Sequence, residues 1–186
     1  QGVEFLGNAD YRLAMKSLEK AKQMNDKEPL VLSNLGYACM EAGKLDEAEK
    51  NLNECLALDP KHPDAWLNLG VTSMRRKKWE EAIQIFDKLA KMHAGSFMAF
   101  RNAGNCYARL EKYKEAAICF EHALKIFPDF NDAKIDLGIV CFAARQIDVA
   151  EKILKEALQK DPHSLRAQAV LDDIRKLRAA LAAKKG

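Results

Sequence analysis

The strongest constraint on this chain is a set of residues that recur every 34 positions without an insertion. Glycines mark one such register, at Gly2, Gly36, Gly70, Gly104 and Gly138. Alanines mark a second, at Ala14, Ala48, Ala82, Ala116 and Ala150. A fixed period of roughly 20 to 50 residues is typical of arrays in which each unit packs only on its neighbours. The sequence therefore predicts a repeat solenoid rather than a single globular core.

Apolar residues in step with the alanines indicate that the units are helical. A large apolar residue follows each alanine by four positions, at Leu18, Leu52, Phe86, Phe120 and Leu154. Steps of three and four residues return to the same face of an α-helix. Small residues let two helix backbones approach, and large ones fill the grooves between them. The pattern therefore predicts closely packed helix pairs.

The prolines set the boundaries of the units. All five lie at predicted junctions, at Pro29, Pro60, Pro63, Pro128 and Pro162. Proline is tolerated in the first turn of a helix but disrupts its interior. In the unit 29–62, the first helix is predicted to end near Ala42 and the second to run from about Asp46 to Leu58. Gly43 lies in the turn between them, as expected of a helix stop.

Two units carry a recognisable motif. In the unit 97–130 its residues are Phe100, Ala103, Gly104, Tyr107, Ala116, Phe120, Ala123 and Pro128. In the unit 63–96 they are Trp66, Leu69, Gly70, Ala82 and Phe86. These motifs resemble the tetratricopeptide repeat (TPR), and the resemblance covers nearly the whole chain. It implies an all-α fold, a right-handed α-solenoid superhelix of stacked antiparallel helix pairs.

The 34-residue frame divides the chain into six segments. They are a truncated first TPR at 1–28, four TPRs at 29–62, 63–96, 97–130 and 131–164, and a C-terminal capping helix at 165–186. Only residues 1–6 represent the opening helix of the first repeat, which favours a fragment or processed product of a longer protein. Val3 and Phe5 would then be poorly covered. In the tail, Leu171 and Ile174 share a helical face beside charged residues, as expected of a cap.

Composition narrows the function classes. Lys and Arg number 30 against 27 Asp and Glu, a balance too weak to indicate nucleic acid or a membrane surface. Helical repeats that read RNA need a basic groove, so this class is disfavoured. The apolar stretch 137–144 is too short to span a bilayer. Five cysteines without a CxxC spacing favour free thiols and a reducing, cytoplasmic location, with any membrane association peripheral and through partners.

No residues group with the spacing that catalysis requires. The histidines have no partner at metal-ligand spacing, the glycines form no phosphate loop, and no Ser or Cys lies in a nucleophile elbow. We therefore expect no enzyme activity, no catalytic or metal-binding residues and no cofactor. An alternative is a regulatory TPR region of an enzyme whose catalytic domain lies outside this sequence.

The resemblance implies that the first helix of each unit lines a concave groove. Position 6 of these helices is Asn34, Asn68, Asn102 and then Asp136. A primary amide both donates and accepts hydrogen bonds, so a row of amides can bind the backbone of an extended peptide. The row resembles the asparagine ladder of TPR superhelices in sugar-transferring enzymes. The alternative is that asparagine is simply common at this position of TPRs.

The remaining groove candidates are of two kinds. The apolar ones are Tyr37, Val71 and Ile139, with Met40, Met74 and Phe142 beside them. The polar or cationic ones are Arg75, Arg101, Asn105 and Arg109. Such a groove suits a peptide with hydrophobic anchors and an acidic residue or terminal carboxylate. Alternatively, Arg101 and Arg109 pair with Asp132 and Asp136 inside the groove.

Two functional hypotheses follow from these observations. The first is a protein-protein interaction scaffold for complex assembly that binds a peptide segment of a partner in its groove. The second is a self-assembling scaffold, a homo-oligomer formed through the open N-terminal end, where exposed apolar residues would find partners. Bacterial TPR proteins of pilus assembly and magnetosome organisation work in this second way.

Overall fold

A computed structural model describes residues 2–25 and 27–183, with side chains described from residue 10 onward. Within these ranges the chain forms ten α-helices and no strand. Their bounds are α1 Gly2–Met24, α2 Pro29–Glu41, α3 Leu45–Leu58, α4 Pro63–Arg75, α5 Trp79–Met92, α6 Phe97–Arg109, α7 Tyr113–Ile126, α8 Asn131–Ala143, α9 Ile147–Lys160 and α10 Leu165–Ala183. The predicted all-α solenoid of stacked helix pairs is confirmed.

The chain divides into two compact units, residues 1–94 and 95–186. In the first unit α2 packs on α3 and α4 on α5; in the second, α6 packs on α7 and α8 on α9. The first helices of neighbouring pairs also touch. Helix α2 contacts α4, and α8 contacts both α6 and α10. Each unit therefore presents a surface built from first helices, which we call its first-helix face.

The glycine register explains the close approach within each pair. A Cβ atom added at Gly36 would lie 2.6 Å from Cγ of Leu52, and one at Gly104 would lie 2.8 Å from Cε1 of Phe120. Contacts this short do not occur between real side chains. The same clash would arise at Gly70 and Gly138. The large residue of the second helix therefore packs directly on the backbone of the first, which only glycine permits.

The turn within each pair contains one residue in the left-handed region. These residues are Gly43, Lys77, Glu111 and Arg145, with φ values of 78°, 60°, 58° and 64°. The next residue donates its N–H back across the turn, as Lys44 does to the carbonyl of Cys39 at 2.8 Å, which is the bond of a Schellman motif. Gly43 was predicted as a helix stop. The other three carry side chains and gave no such signal.

Helix α1 differs from the sequence expectation. The repeat frame places the end of an opening helix near residue 6, but α1 runs unbroken from Gly2 to Met24. Six residues form fewer than two turns, and so short a helix is marginal on its own. Continuing the helix keeps the backbone hydrogen bonds that a turn would break. The side chains of Val3 and Phe5 lie outside the described residues, and the division into repeats stays a prediction.

Helix α10 begins as α4 does. The Gln168 side chain donates to the carbonyl of Pro162 at 2.7 Å, as the Trp66 indole does to Pro60 at 2.8 Å. Leu171 and Ile174 are buried.

Across the described ranges, no helix is both long enough and apolar enough to cross a bilayer.

Candidate functional site

Two asparagines of the first unit lie on its first-helix face. Asn34 on α2 is exposed and Asn68 on α4 is half-buried. Neither side-chain amide has a hydrogen-bond partner within the described part of the chain; of Asn68, only the backbone carbonyl accepts a bond, from Thr72. An unpaired amide offers two donors and one acceptor. Both residues are therefore available to a ligand.

Apolar and aromatic residues flank these amides. Tyr37 is 41% exposed and its ring meets that of Tyr11 edge-on, with the centroids 6.0 Å apart. A hydrogen bond with Tyr11, followed by partial burial, raises the pKa of Tyr37 to about 12, so the phenol is neutral at physiological pH. Val71 is half-buried against the core. Met40, expected in the groove, is only 2% exposed and belongs to the core instead.

Arg75 joins neighbouring helix pairs. Its Nη1 donates to the carbonyl of Met40 and its Nη2 to Oε1 of Glu41, both at 2.5 Å. Because Met40 and Glu41 end α2, the cation lies at the negative end of that helix dipole. The sequence suggested Arg75 as a groove cation for an acidic ligand. Its donors are partly used within the first unit, so a ligand carboxylate would compete with these contacts.

The second unit keeps part of the polar row unpaired. Asn102 and Asn105 on α6 are half-buried, and Arg109 at the end of α6 is exposed. None of the three side chains makes a hydrogen bond or ion pair with any described residue. Ile139 on α8 is half-buried beside the core of this unit. The arrangement brings amides, one cation and an apolar contact together on one face.

Asp136, the fourth residue of the row, behaves differently. It is only 4% exposed, and its Oδ2 accepts from Nε of Arg101 at 2.8 Å. Arg166 of α10 pairs with its other oxygen. Arg101 also lies 3.4 Å from Asp132. The predicted pairing of Arg101 inside the groove is therefore what the structure shows, whereas Arg109 takes no part in it.

An aromatic cluster helps to hold Arg101 in place. Its guanidinium lies 5.1 Å from the centroid of Phe130, in the range of a cation–π contact. Phe130 in turn packs edge-on against Phe97, with the centroids 5.0 Å apart, and beside Phe127. With its charge paired and its side chain 18% exposed, Arg101 is a structural residue of the second unit. We call Arg101, Asp132, Asp136 and Arg166 the arginine–aspartate cluster.

Arg166 is the residue that sequence reasoning missed. The tail was interpreted as a cap with a solvated charged face, and no groove position was sought there. Counting from Leu165, the first residue of α10, Arg166 stands at position 2 of the repeat frame, the position that Asp132 occupies in α8. Extending the repeat frame into the tail would have found it.

The buried cysteines are not activated for chemistry. Burial raises the pKa of the Cys39 and Cys55 thiols to about 11 and that of Cys106 to about 12. Burial also raises the pKa of Cys141. A protonated thiol is a poor nucleophile and metal ligand. No group of three or more His, Cys, Asp or Glu residues suited to a metal ion occurs among the residues that the structure describes.

Solved structures of TPR proteins share this fold. MamA from Desulfovibrio magneticus RS-1 is 23% identical over 87% of this chain and 92% of its own, with a TM-score of 0.75. A thermophilic TPR protein of Thermus thermophilus is 19% identical over 93% and 94%, with a TM-score of 0.71. YrrB, described as a TPR protein with an unusual peptide-binding site, is 20% identical over 93% and 100%, with a TM-score of 0.71. At these identities the likeness shows the fold alone.

The stacked helix pairs define a TPR protein, a member of a class of protein-interaction scaffolds that are typically not enzymes. More particularly, the chain belongs to the family described as the C-terminal domain of cilia and flagella-associated protein 70, which matches residues 2–169. Among curated proteins, none matches the sequence.

Proposed function

We propose that the first-helix faces bind extended peptide segments of partner proteins through their unpaired asparagine amides. The observation that carries the proposal is that Asn34, Asn68, Asn102 and Asn105 have no partner among the described residues. An amide can pair with both the N–H and the C=O of a peptide backbone. Backbone pairing gives affinity without demanding one sequence, and neighbouring pockets then select side chains.

The flanking residues set the expected ligand chemistry. In the first unit, Tyr37 and Val71 offer apolar contact beside Asn34 and Asn68. In the second, Ile139 does so beside Asn102 and Asn105, and the exposed Arg109 offers charge-assisted hydrogen bonds to a carboxylate. We therefore expect peptides with apolar anchors, and an acidic residue preferred on the second unit only. YrrB, a protein with this fold, is described as having an unusual peptide-binding site, which supports peptide binding as a use of the fold.

The family membership suggests where in the cell this binding takes place. Because the chain belongs to a family described from a cilia and flagella-associated protein, the proposed partners are proteins of the cilium or flagellum. A fluorescently tagged chain should then concentrate in that organelle. A uniform distribution through the cell body would remove this part of the proposal and leave the peptide site untouched.

The test of the peptide site is a selection followed by calorimetry. A displayed library of peptides of about 12 residues, which span roughly 40 Å when extended, is selected on the chain and counter-selected on Asn34→Ala/Asn68→Ala/Asn102→Ala. Selected peptides should bind the triple variant about 1–3 kcal/mol more weakly, at about 0.5–1.5 kcal/mol for each net hydrogen bond lost.

A matched control separates this site from other surfaces. Asn53 is an exposed asparagine on α3, a second helix, and its side chain also lacks a partner among the described residues. Asn53→Ala should leave peptide affinity unchanged. Equal affinity of the wild-type chain and the triple variant for every selected peptide would remove the amides from the proposed function.

A further inference from the structure

The first helices of the first unit carry the same two kinds of side chain at equivalent positions. Asn34 on α2 and Asn68 on α4 occupy one position of the repeat, and Tyr37 and Val71 occupy another, three residues further along each helix. Because α2 and α4 contact one another, their axes lie about 8–10 Å apart, the usual spacing of packed helices. A peptide that crosses both helices therefore meets an amide and an apolar residue once in every 8–10 Å or so.

The amides and the apolar residues form two parallel rows across this face. Residues three apart in a helix share one side of it and are separated by about 4.5 Å along the axis. Asn34 and Tyr37 are exposed, and Asn68 and Val71 are half-buried. One peptide chain that lies across α2 and α4 can thus contact both rows, with its backbone against the amides and its side chains against Tyr37 and Val71.

The peptide conformation that matches this interval is polyproline II. It rises about 3.1 Å per residue with three residues per turn, so every third residue returns to the same side after about 9.3 Å. Three residues of a β-strand span about 10 Å, but side chains alternate, and residues three apart point to opposite sides. An α-helix uses its backbone groups in its own hydrogen bonds and leaves few for the amides. Polyproline II leaves its backbone groups free.

We propose that the first-helix face of the first unit binds proline-rich segments in the polyproline II conformation, with equivalent residues of the ligand, three apart, at α2 and at α4. This inference rests on the proposed peptide site and names its ligand class. The amides of Asn34 and Asn68 each pair with backbone groups of one turn of the ligand. A segment with one non-proline residue in three offers each amide one N–H as well as carbonyl oxygens.

The side chains beside the amides suit a ligand of this kind. Proline-rich segments dock on aromatic residues, and their preformed conformation loses little entropy on binding. Tyr37 is 41% exposed, and its ring rests edge-on against that of Tyr11. The charged groups that act on Tyr37 are Glu41 and Arg75, and these two pair with each other. Their charges cancel, which complements an uncharged ligand made of proline and apolar residues.

The second unit does not repeat this arrangement. Asn102 on α6 offers an amide, but the same position of α8 is Asp136, whose carboxylate is buried and paired with Arg101 and Arg166. A ligand in polyproline II would therefore meet an available amide on only one of these two helices. We expect the preference for proline-rich segments to belong to the first unit.

The test uses three synthetic peptides of one composition that differ only in the spacing of two leucines among prolines. They are Pro-Pro-Leu-Pro-Pro-Leu-Pro-Pro, Pro-Pro-Leu-Pro-Pro-Pro-Leu-Pro and Pro-Pro-Pro-Leu-Pro-Leu-Pro-Pro. Each is titrated into the ¹⁵N-labelled whole chain, and the side-chain NH₂ signals of Asn34 and Asn68 are followed. The peptide with leucines three apart should bind about 3- to 10-fold more tightly than the other two, because these lose one net hydrogen bond when a leucine N–H leaves the register.

Variants of the chain locate the effect. Asn34→Ala/Asn68→Ala should abolish the preference for a spacing of three, and Tyr37→Ala should weaken the binding of that peptide. Asn53→Ala, on the second helix α3, should change neither. Equal affinity for the three peptides, tighter binding of the spacing of two, or no binding at all would overturn the proposal. If library-selected peptides still require the amides in that case, the peptide site stands and only its ligand class is wrong. If those peptides do not require the amides either, the peptide site is refuted as well.

Discussion

Asn68 in the first unit and Asp136 in the second occupy the same position of the repeat, but their side chains differ in burial and in pairing. The amide of Asn68 is half-buried and unpaired among the described residues. The carboxylate of Asp136 is 4% exposed and held by Arg101 and Arg166. The two side chains have nearly the same shape, so charge makes the difference. A carboxylate at this position forms ion pairs with arginines of neighbouring helices and so stabilises the fold. An amide at the same position remains available to a ligand.

The largest effect should come from breaking the arginine–aspartate cluster. Arg101→Met keeps the apolar stem and leaves Asp136 with only the half-exposed Arg166 as a partner. Removing one partner of a buried ion pair costs about 3–5 kcal/mol, and we expect about 3 because Arg166 remains. Urea unfolding followed by circular dichroism measures this loss. Arg109→Met, on an exposed and unpaired arginine of the same helix, is the control and should change stability by less than about 0.5 kcal/mol.

Apart from the position of Asn68 and Asp136, we expect the cores of the two units to respond alike to overpacking. Gly70→Ala and Gly104→Ala each force a Cβ into an aromatic ring, and such overpacking costs about 1–3 kcal/mol. The two losses in urea unfolding should be similar. Gly95→Ala, where the added Cβ meets nothing within 4 Å, should be close to neutral. A loss confined to one unit would show that the units differ in their cores as well.

Asn68→Asp places the carboxylate of the second unit into the first. The preceding first helix, α2, supplies no arginine to pair with this carboxylate, because Ser33 occupies in α2 the repeat position that Arg101 occupies in α6. A half-buried carboxylate without a cation should cost about 1 kcal/mol at about pH 7.5. The loss should shrink at about pH 4.5, because burial favours the neutral acid. A variant as stable as the wild-type chain at both pH values would mean that the position tolerates charge without a partner.

The smallest effect concerns the amides themselves. Asn34→Ala/Asn68→Ala removes side chains that have no described partner, so the free energy of unfolding should stay within about 0.5 kcal/mol of the wild-type value. Thermal and urea unfolding measure this directly. A loss of about 2 kcal/mol or more, well outside the range of surface substitutions, would assign these residues to structure, as Asp136 is. The first-helix face would then lack its proposed role.

The sequence predicted the architecture because its signals are local and repeated. The glycine register, the apolar residues 16 positions later and Gly43 each require a feature that one helix pair determines by itself. The left-handed turns at Lys77, Glu111 and Arg145 could not be predicted from residue type, since side chains disfavour that region. Nor could the bonds of Arg75 to the end of α2 or of Arg166 to Asp136, because they depend on how neighbouring pairs are placed.

Side-chain amide spectroscopy tests the central claim most directly. In a ¹⁵N-labelled chain titrated with a selected peptide, the NH₂ signals of Asn34 and Asn68, for a peptide bound to the first unit, or of Asn102, for one bound to the second, should shift in proportion to occupancy. The NH₂ signal of Asn53, on the second helix α3, should stay in place. Saturated binding with the three groove amides unmoved would contradict the account, since the peptide would then be held by another surface.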